Sequence, residues 1–318
     1  MNDYVLEVTN VTKKFANLTA VDQVSFSIPR GSIYGFLGQN GAGKTTTIRM
    51  IVDIIRPTSG HISILGASSA LDVRERIGYL PEEKGLYKKM TAVATVAYFA
   101  TLKGVGRKEA RQRARALLEQ YGLGQFANSK IQDLSKGMGQ KVQVLSAISH
   151  NPEFVILDEP FSGLDPVNQQ VLEELIRNMS AEGRTIIFST HVMQHAERLC
   201  DQLLLIAKGK KIFDGSVAAA KRTIPRRVFI ETRDDIQPLR ELDGVVAISR
   251  SQSDSTASAA DNYFSWEIQI EERMNPQAIL EKCFAAGIAL RQFDHSEPSL
   301  HEVFVSLVGA QAVAGQTV

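Results

Sequence analysis

Cysteine is scarce in this sequence. Only Cys200 and Cys283 occur among 318 residues, and two cysteines are too few for a disulfide framework. A reducing compartment such as the cytoplasm is therefore expected. The opening residues, MNDYVLEV, mix acidic with apolar side chains and lack the basic and then apolar segments of a secretion signal. We therefore expect the chain to stay on the cytoplasmic side.

Long hydrophobic runs and an excess of one charge are also missing. The longest weakly polar run, residues 90–102, is interrupted by threonines and is shorter than the roughly 20 residues of a membrane-spanning helix. Lysine and arginine number 36 against 35 acidic residues, which gives a formal net charge of +1. Such a balance creates no overall field for nucleic acid or an anionic membrane. The sequence predicts a soluble globular chain with no nucleic-acid partner.

The order of apolar and polar residues predicts two domains, which suits a chain of 318 residues. Up to about residue 220, strand-like runs alternate with helical patterns, which predicts an α/β fold with a largely parallel sheet. Residues 82–134 are mostly helical and are predicted to form an insertion. A basic segment with proline, KRTIPRR, then marks a change of character. We place the boundary between residues 223 and 224.

Residues 224–309 predict a second, smaller domain. Its strands are predicted at 228–232, 245–249, 264–270 and 288–293, and its helices at 236–242, 276–286 and 299–307. This order resembles a split βαβ unit and predicts a small α+β, ferredoxin-like domain. Residues 249–262 predict a polar loop, and residues 310–318 a disordered tail.

The strongest motif is GFLGQNGAGKTTTIRM, which matches the phosphate-binding loop G-x-x-x-x-G-K-[ST]. An apolar strand predicted at residues 33–37 precedes it and a helical pattern follows, so that backbone N–H groups would surround phosphates at the positive end of a helix. Lys44 would reach the β- and γ-phosphates, and the Thr45 hydroxyl would bind Mg²⁺. The alternative is a glycine-rich turn that binds no ligand, and such a turn would not require the lysine or the threonine. The predicted nucleotide-binding residues of the loop are Gly38, Asn40, Gly41, Ala42, Gly43, Lys44, Thr45 and Thr46.

A second motif is FVILDEPFSGLD, residues 154–165. Four apolar residues predict a strand buried on both faces, yet the strand leads directly into Asp158 and Glu159. Burying two adjacent carboxylates at the end of a strand costs free energy unless water or a cation contacts them. A surface turn would explain them, but the phosphate-binding loop offers a cation, Mg²⁺ on a nucleotide. Asp158 would then hold the metal, and Glu159 would deprotonate the water that attacks the γ-phosphate.

A third motif is LSKGMGQKVQ, residues 134–143. Ser135 is placed as the N-cap of an apolar helix, and Gly137 permits close backbone approach. The segment therefore predicts a second helix terminus that can bind an anion. Capping alone would also explain Ser135.

In this order the three motifs resemble those of the ATP-binding subunits of ABC transporters, over residues 1–223. LSKGM resembles the family signature, FVILDE the Walker B strand, and SGLD, which ends at Asp165, the D-loop. The resemblance implies a P-loop ATPase domain of the ABC type, with ATP and Mg²⁺ as cofactors. It also implies that Ser135 and Gly137 contact the nucleotide of a partner subunit, and that Asp165 couples closure to chemistry.

The resemblance implies roles for two further residues. His191 follows a predicted strand at 185–189, where the family has its switch histidine, and so joins Lys44 and Glu159 as a catalytic residue. Phe15 lies where the family stacks an aromatic ring on adenine, although a core phenylalanine would give the same pattern.

Two departures from the family pattern occur. Lys136 and Met138 stand where the common signature has glycine and glutamine. Glu82 stands at the Q-loop glutamine, near Mg²⁺ and the γ-phosphate, where its charge would have to be protonated, turned away or paired with Lys84. These variants, together with EPSLHEVFVSLVG at residues 297–309, resemble the branch that exports drugs, sodium or lipid-linked substrates.

The resemblance implies an ATP hydrolase that drives export through separate membrane-spanning subunits. The expected partners are such a permease, docked at residues 82–102, and a second ATP-binding subunit, either a copy or a sister chain. The expected location is the cytoplasmic face of the cell membrane. The alternative is a soluble ABC ATPase acting on ribosomes or DNA, but neither a second cassette nor a long coiled-coil insertion is present in the sequence. A non-catalytic nucleotide-binding regulator is disfavoured because Lys44, Asp158 and Glu159 all occur.

Overall fold

The computed structural model describes residues 3–83, 85–250 and 263–314. The chain divides into two compact units, Met1–Val217 and Ala218–Val318, where the sequence placed the boundary at 223/224. The predicted loop at 249–262 lies almost wholly outside the described residues.

The first unit is built of strands and helices in mixed order. Its strands are β1 (Tyr4–Phe15), β2 (Leu18–Pro29), β3 (Ile33–Leu37), β4 (Ser59–Ile64), β5 (Ile77–Leu80), β6 (Phe154–Leu157), β7 (Thr185–Thr190), β8 (Gln202–Ala207) and β9 (Lys210–Ser216). Its helices are α1 (Lys44–Ile51), α2 (Ala92–Leu102), α3 (Arg107–Gln120), α4 (Lys136–Ile148), α5 (Pro166–Ala181) and α6 (Met193–Leu199). Short 3-10 helices cover Ala70–Arg76, Gly124–Phe126 and Ile131–Asp133.

The larger sheet of this unit has six strands in the order β5-β6-β7-β3-β8-β9. All neighbouring pairs are parallel except β8 with β9, which confirms the predicted largely parallel sheet. Every residue of β3, β6 and β7 is buried, as continuous apolar runs predict. Because the strands are parallel, their carboxyl ends share one edge, where ligands bind in such sheets. The loops after β3, β6 and β7 carry the candidate site residues to this edge.

A second sheet in this unit was not predicted. Its three strands have the order β2-β1-β4 and pair antiparallel. In β2, Val24, Phe26 and Ile28 are buried and alternate with less buried residues, which is typical of an antiparallel sheet covered on one face. The alternation of strands and helices predicted up to about residue 220 therefore does not hold at the start of the chain, where β1, β2 and β3 follow one another without a helix.

The insertion at residues 82–134 is helical, as predicted, and consists of α2, α3 and two 3-10 helices. Val96 of α2 and Leu118 of α3 belong to one buried cluster with Leu145 of α4 and Leu157 of β6. The insertion is thereby anchored to the helix after the signature and to the central sheet. Among the described residues, no helix is long and apolar enough to cross a membrane.

The second unit forms the predicted ferredoxin-like domain. After α7 (Val217–Lys221), it contains β10 (Arg226–Thr232), a 3-10 helix (Gln237–Glu241), β11 (Val245–Arg250), β12 (Phe264–Ile270), α8 (Gln277–Ala285), β13 (Leu290–Asp294) and α9 (Leu300–Ala314). The strand order β11-β12-β10-β13, antiparallel throughout, is that of a split βαβ unit. Val228, Ile230, Ile268 and Ile279 form its core with Cys283.

The last helix is longer than predicted. α9 continues to Ala314, so the first residues of the predicted tail are helical, and residues 315–318 lie outside the described residues. Alanine has the highest intrinsic helix propensity, and the segment GAQAVA at 309–314 contains three alanines.

Candidate functional site

The phosphate-binding loop connects β3 to α1. Gly43 is the N-cap of α1 with a φ of 107°, a conformation that favours glycine. A Cβ at Gly43 would lie 2.6 Å from the Ala20 carbonyl oxygen, and a Cβ at Gly38 would lie 2.3 Å from that of Ile206. Both glycines are therefore required by close backbone approach. The amino end of α1 is left open toward the edge of the sheet.

Lys44 is the first residue of α1 and is only 5% exposed. Its Nζ donates to the carbonyl oxygens of Gly38 and Gln39 at 2.8 and 3.2 Å. The same nitrogen lies 3.3 Å from Glu159 Oε1. The structure thus pairs the predicted phosphate-binding cation with the predicted general base.

Asp158 follows β6 and is 1% exposed. Ser189 Oγ donates to Asp158 Oδ1 at 2.6 Å, and Thr45 Oγ1 lies 3.4 Å from the same oxygen. Burial raises the pKa of Asp158, although the hydrogen bonds from Ser189 and Thr45 act in the opposite direction. The second oxygen, Oδ2, is buried without a hydrogen-bond partner among the described residues. A buried carboxylate oxygen that lacks a hydrogen-bond partner is favourably placed to bind a cation.

Glu159 has a φ of 48°, an uncommon left-handed conformation for a residue with a side chain. Its N–H donates to Ser189 Oγ at 2.8 Å. Its Oε2 lies 3.0 Å from His191 Nδ1. Lys44 and His191 therefore contact opposite oxygens of one buried carboxylate.

A cleft of about 560 Å³ opens beside these side chains. It brings together nine of the predicted residues: Phe15, Asn40, Gly41, Gly43, Lys44, Thr45, Thr46, Glu82 and Glu159. It is also lined by five residues that the sequence did not predict: Leu18, Thr19, Ala20, Lys208 and Gly209. Gly38 and Ala42 support the loop from behind, since Ala42 O accepts a hydrogen bond from Gly209 N at 2.9 Å.

Phe15 lies at the end of β1 and is 44% exposed, which excludes the alternative of a core phenylalanine. The Lys13 ammonium lies 4.9 Å from the centre of its ring. Glu82 Oε2 lies 3.4 Å from Thr45 Oγ1, so this carboxylate faces the phosphate-binding loop. Lys84, its suggested partner, lies outside the described residues.

The signature residues lie on a different surface. Ser135 is the N-cap of α4, and its hydroxyl accepts from Met138 N at 3.3 Å. Asp165 is the N-cap of α5 and accepts from Asn168 N at 3.0 Å. A Cβ at Gly137 would lie 2.5 Å from the Asn168 side chain, so the signature turn packs on the start of α5. Ser135, Gly137 and Asp165 are not among the residues that line the cleft.

Ser189 is the functional residue that sequence reasoning missed. It ends the predicted strand at 185–189, and its hydroxyl joins Asp158 to the Glu159 backbone. A polar residue at the carboxyl end of a strand parallel to β6 was the available signal. Among the described residues, no cluster of three or more histidine, cysteine or acidic side chains is arranged for a metal.

Two family models match the chain. The model for ABC transporters matches residues 21–162, and the model for the C-terminal domain of DrrA1-3-like ATP-binding proteins matches residues 215–308. The second match agrees with the unit that begins at Ala218.

Several proteins are similar to this chain. The uncharacterized ABC transporter ATP-binding protein YhaQ of Bacillus subtilis is 39% identical over 96% of this chain and 99% of its own length. The Nod factor export ATP-binding protein I of Burkholderia orbicola is 37% identical over 66% of this chain and 70% of its own. A solved ATP-binding subunit of an ABC transporter is 33% identical, with a TM-score of 0.63 over 69% of this chain and 92% of its own. The chain therefore belongs to the ATP-binding, ATP-hydrolysing subunits of ABC transporters and has a DrrA-like C-terminal domain.

Proposed function

We propose that the chain hydrolyses Mg·ATP to drive export of a substrate through separate membrane-spanning subunits. Hydrolysis is supported by one observation: five side chains lie close together at one end of the cleft. They are Lys44, Thr45, Asp158, Glu159 and His191. Export is supported by similarity to a protein named for Nod factor export.

Asp158 and Thr45 would hold Mg²⁺ together with the phosphates of ATP. The fit rests on the buried Asp158 Oδ2, which lacks a hydrogen-bond partner in the described residues, and on the nearby Thr45 hydroxyl. Carboxylate and hydroxyl oxygens with phosphates are the ligands Mg²⁺ uses in such sites. When bound, the metal would neutralise charge that develops on the phosphate oxygens.

ATP binding would exchange the partner of Lys44. In the structure, Lys44 neutralises Glu159 across 3.3 Å. When the Lys44 ammonium group binds the β- and γ-phosphates instead of Glu159, the Glu159 carboxylate becomes available to accept a proton from the attacking water. His191, 3.0 Å from the other oxygen, keeps the carboxylate oriented. In this way substrate binding would activate the base.

The working unit would be a dimer of ATP-binding subunits. The chain has one phosphate-binding loop and one signature, and its own signature does not line its cleft. Ser135 and Gly137 would therefore close over the γ-phosphate of a partner, with Asp165 beside them. The partner is a second copy or a sister chain. Phe15 would stack on adenine at the exposed end of the cleft.

The permease would dock on the insertion and hold the subunit at the cytoplasmic face of the cell membrane. Three apolar or aromatic side chains in this region are exposed: Tyr87 by 54%, Tyr98 by 37% and Leu102 by 59%. Tyr87 and Tyr98 also contact each other edge-to-face at 5.7 Å. An exposed aromatic pair of this kind is typical of a protein interface.

The test is co-purification of the tagged chain from detergent-solubilised membranes of the source organism. We expect a polytopic membrane protein to co-purify, and a Tyr87→Asp/Tyr98→Asp variant with unchanged ATP binding to lose it. Enrichment of ribosomes or DNA by the parent chain, without a membrane protein, would favour the soluble ABC ATPase instead.

A further inference from the structure

The turn that follows the proposed base, residues 159–162, is tightly constrained. Ser162 N donates to Glu159 O at 3.1 Å, which closes the turn around Pro160 and Phe161. Glu159 occupies the left-handed region with a φ of 48°, which costs energy in a residue with a side chain. Surrounding contacts must therefore stabilise this conformation, and with it the direction of the Glu159 carboxylate.

Phe161, in the middle of the turn, packs between two aromatic rings. It is 4% exposed, and its ring stacks on the His195 imidazole with centroids 4.1 Å apart and planes 13° apart. Phe188 of β7 meets it edge-on, with a centroid distance of 5.7 Å. His195 lies in α6, four residues after His191, which precedes this helix. The stack thus joins the turn after Glu159 to the helix after His191.

The ring of His195 is fixed from its other side by α5. Its Nδ1 lies 3.1 Å from Glu173 Oε1, and Arg198 Nη2 lies 2.9 Å from the same oxygen. Because a carboxylate oxygen can only accept, the ring donates its Nδ1–H to Glu173. Burial lowers the pKa of His195, and the hydrogen bond to Glu173 acts in the opposite direction. This hydrogen bond favours the ring orientation that stacks on Phe161.

The other side of the turn contacts the helix that begins with the signature. Gln140 Nε2 of α4 donates to Pro160 O at 3.0 Å, and Gln140 is 6% exposed. Residues 159–162 therefore lie between a side chain of α4 that donates a hydrogen bond to the turn backbone and a ring of α6 that stacks on Phe161.

We propose that His195 is a positioning residue for ATP hydrolysis, because its stack on Phe161 holds the 159–162 turn in the conformation that directs the Glu159 carboxylate to Lys44 and His191. The inference rests on the role proposed above for Glu159. His195 does not line the cleft and acts only through the turn. Its effect therefore falls on the rate of hydrolysis and leaves ATP affinity unchanged.

Two substitutions of His195 separate the contribution of its stack on Phe161 from that of its hydrogen bond to Glu173. His195→Phe keeps an aromatic ring on Phe161 but cannot donate to Glu173. His195→Asn keeps a donor near the position of Nδ1 but removes the ring. We expect kcat to stay within about twofold of the parent in His195→Phe and to fall about three- to tenfold in His195→Asn. KM for ATP should be unchanged in both. Arg198→Gln, which weakens the Glu173 pair from its exposed side, is the matched control and should keep the parent kcat.

A double-mutant cycle with Glu159→Gln tests the route of the effect. Without the Glu159 carboxylate there is nothing left to position, so adding His195→Asn should not lower the residual turnover further. If His195→Asn does not fold, Phe161→Leu replaces it with the same expectation.

Three results would overturn the inference: a parent-like kcat in His195→Asn, an equal loss in His195→Phe, or additive losses in the cycle. Failure of the proposed function gives a different result, because Glu159→Gln alone would then hydrolyse ATP at the parent rate.

Discussion

Lys44 carries a buried charge whose partners depend on nucleotide. In the structure it is paired with Glu159, and both side chains are less than 10% exposed. Removing one partner of a buried pair leaves the other charge uncompensated, at a cost of about 3–5 kcal/mol. The same lysine is proposed to bind the β- and γ-phosphates of ATP. A substitution at Lys44 therefore changes both the stability of the empty protein and its affinity for ATP.

Lys44→Ala should weaken ATP binding at least about tenfold, because a charge-assisted hydrogen bond contributes about 1.5–3 kcal/mol. It should also lower the melting temperature of the nucleotide-free protein, since Glu159 is left buried and unpaired. Adding Glu159→Gln removes that charge and should restore much of the melting temperature without restoring ATP binding. Fluorescence titration and thermal unfolding measure the two effects. Unchanged ATPase activity in folded Lys44→Ala would contradict the assignment of the phosphate-binding loop.

Substitutions at the two adjacent acids, Asp158 and Glu159, should affect ATP binding and hydrolysis in different ways. Glu159→Gln keeps the shape of the side chain but removes the base, so kcat should fall about 10²–10⁴-fold while ATP still binds. Asp158→Asn weakens the metal site, so Mg²⁺-dependent binding and hydrolysis should fall together. Measuring nucleotide affinity with and without Mg²⁺ separates them. Hydrolysis at the parent rate by Glu159→Gln would remove Glu159 from the role proposed for it.

At the scale of elements, the strands that carry the site could be predicted and their partners could not. β3 and β6 were predicted at their observed bounds because each is a short apolar run with a polar motif directly after it. That pattern is local. The antiparallel pairing of β1 with β2 and β4, and the bond from Ser189 to Asp158, join residues far apart in sequence. Periodicity indicates which face of a strand is buried, but not which strand lies beside it.

The same limit explains what was missed around α6. Phe161, Glu173 and His195 lie on three separate segments, and none has a sequence signal beyond an apolar or polar position. Only the packing of α5 and α6 against the turn after β6 brings them together. The departure at Glu82 was visible in the sequence, whereas its 3.4 Å approach to Thr45 required the fold.

His150, two residues after the end of α4, contacts β5 and is expected to make the fold sensitive to acid. Nε2 of His150 lies 3.0 Å from Ile77 O, a contact in which the neutral ring donates. Burial, with the nearby positive charge of Lys103, lowers the pKa of His150 to about 4 from its usual 6.5. The unfolded chain therefore binds a proton at this residue near pH 6.5, and the native chain only near pH 4.

The stability that neutral His150 contributes should be present above pH 6.5 and lost as the pH falls toward 4. The full shift would correspond to about 3 kcal/mol in the free energy of unfolding, and relaxation of the native structure around the charged ring is expected to reduce the loss to about 1–2 kcal/mol. Urea unfolding of the parent and of His150→Gln at pH 7.5 and 4.5 measures it. The variant retains an amide donor for Ile77 O and cannot titrate, so its stability should fall less. Equal losses in both proteins would contradict the role of His150.

For the whole molecule, the residues proposed to bind and hydrolyse ATP all belong to the first unit. Residues 1–217 should therefore bind ATP without residues 218–318, although the DrrA-like domain would then be missing. We expect this fragment to be monodisperse and to bind nucleotide within about threefold of the full chain. Titration of both with a fluorescent ATP analogue provides the measurement. A folded, monodisperse fragment that does not bind nucleotide would show that the second domain contributes to the site.

Two subunits are proposed to close around ATP. The signature of each subunit is proposed to meet the γ-phosphate bound by the other, so blocked hydrolysis should trap the closed dimer. Size-exclusion chromatography of Glu159→Gln should therefore show a shift from monomer to dimer that requires Mg·ATP. A parent chain that is already dimeric through its second domain would obscure this shift, and a crosslink then replaces it.

The crosslink joins Ser135→Cys of one subunit to Gly41→Cys of the other. Cys200 and Cys283 are free, so both are first replaced by serine, which leaves the introduced thiols as the reactive pair. In the Glu159→Gln background we expect the disulfide between the two introduced thiols to form across subunits with Mg·ATP and not with ADP. Ser135→Cys alone is the control, because two signature turns do not meet across a shared nucleotide. A bond that forms equally with and without ATP would show that the signature reaches the phosphate-binding loop independently of nucleotide, and the proposed closure would be wrong.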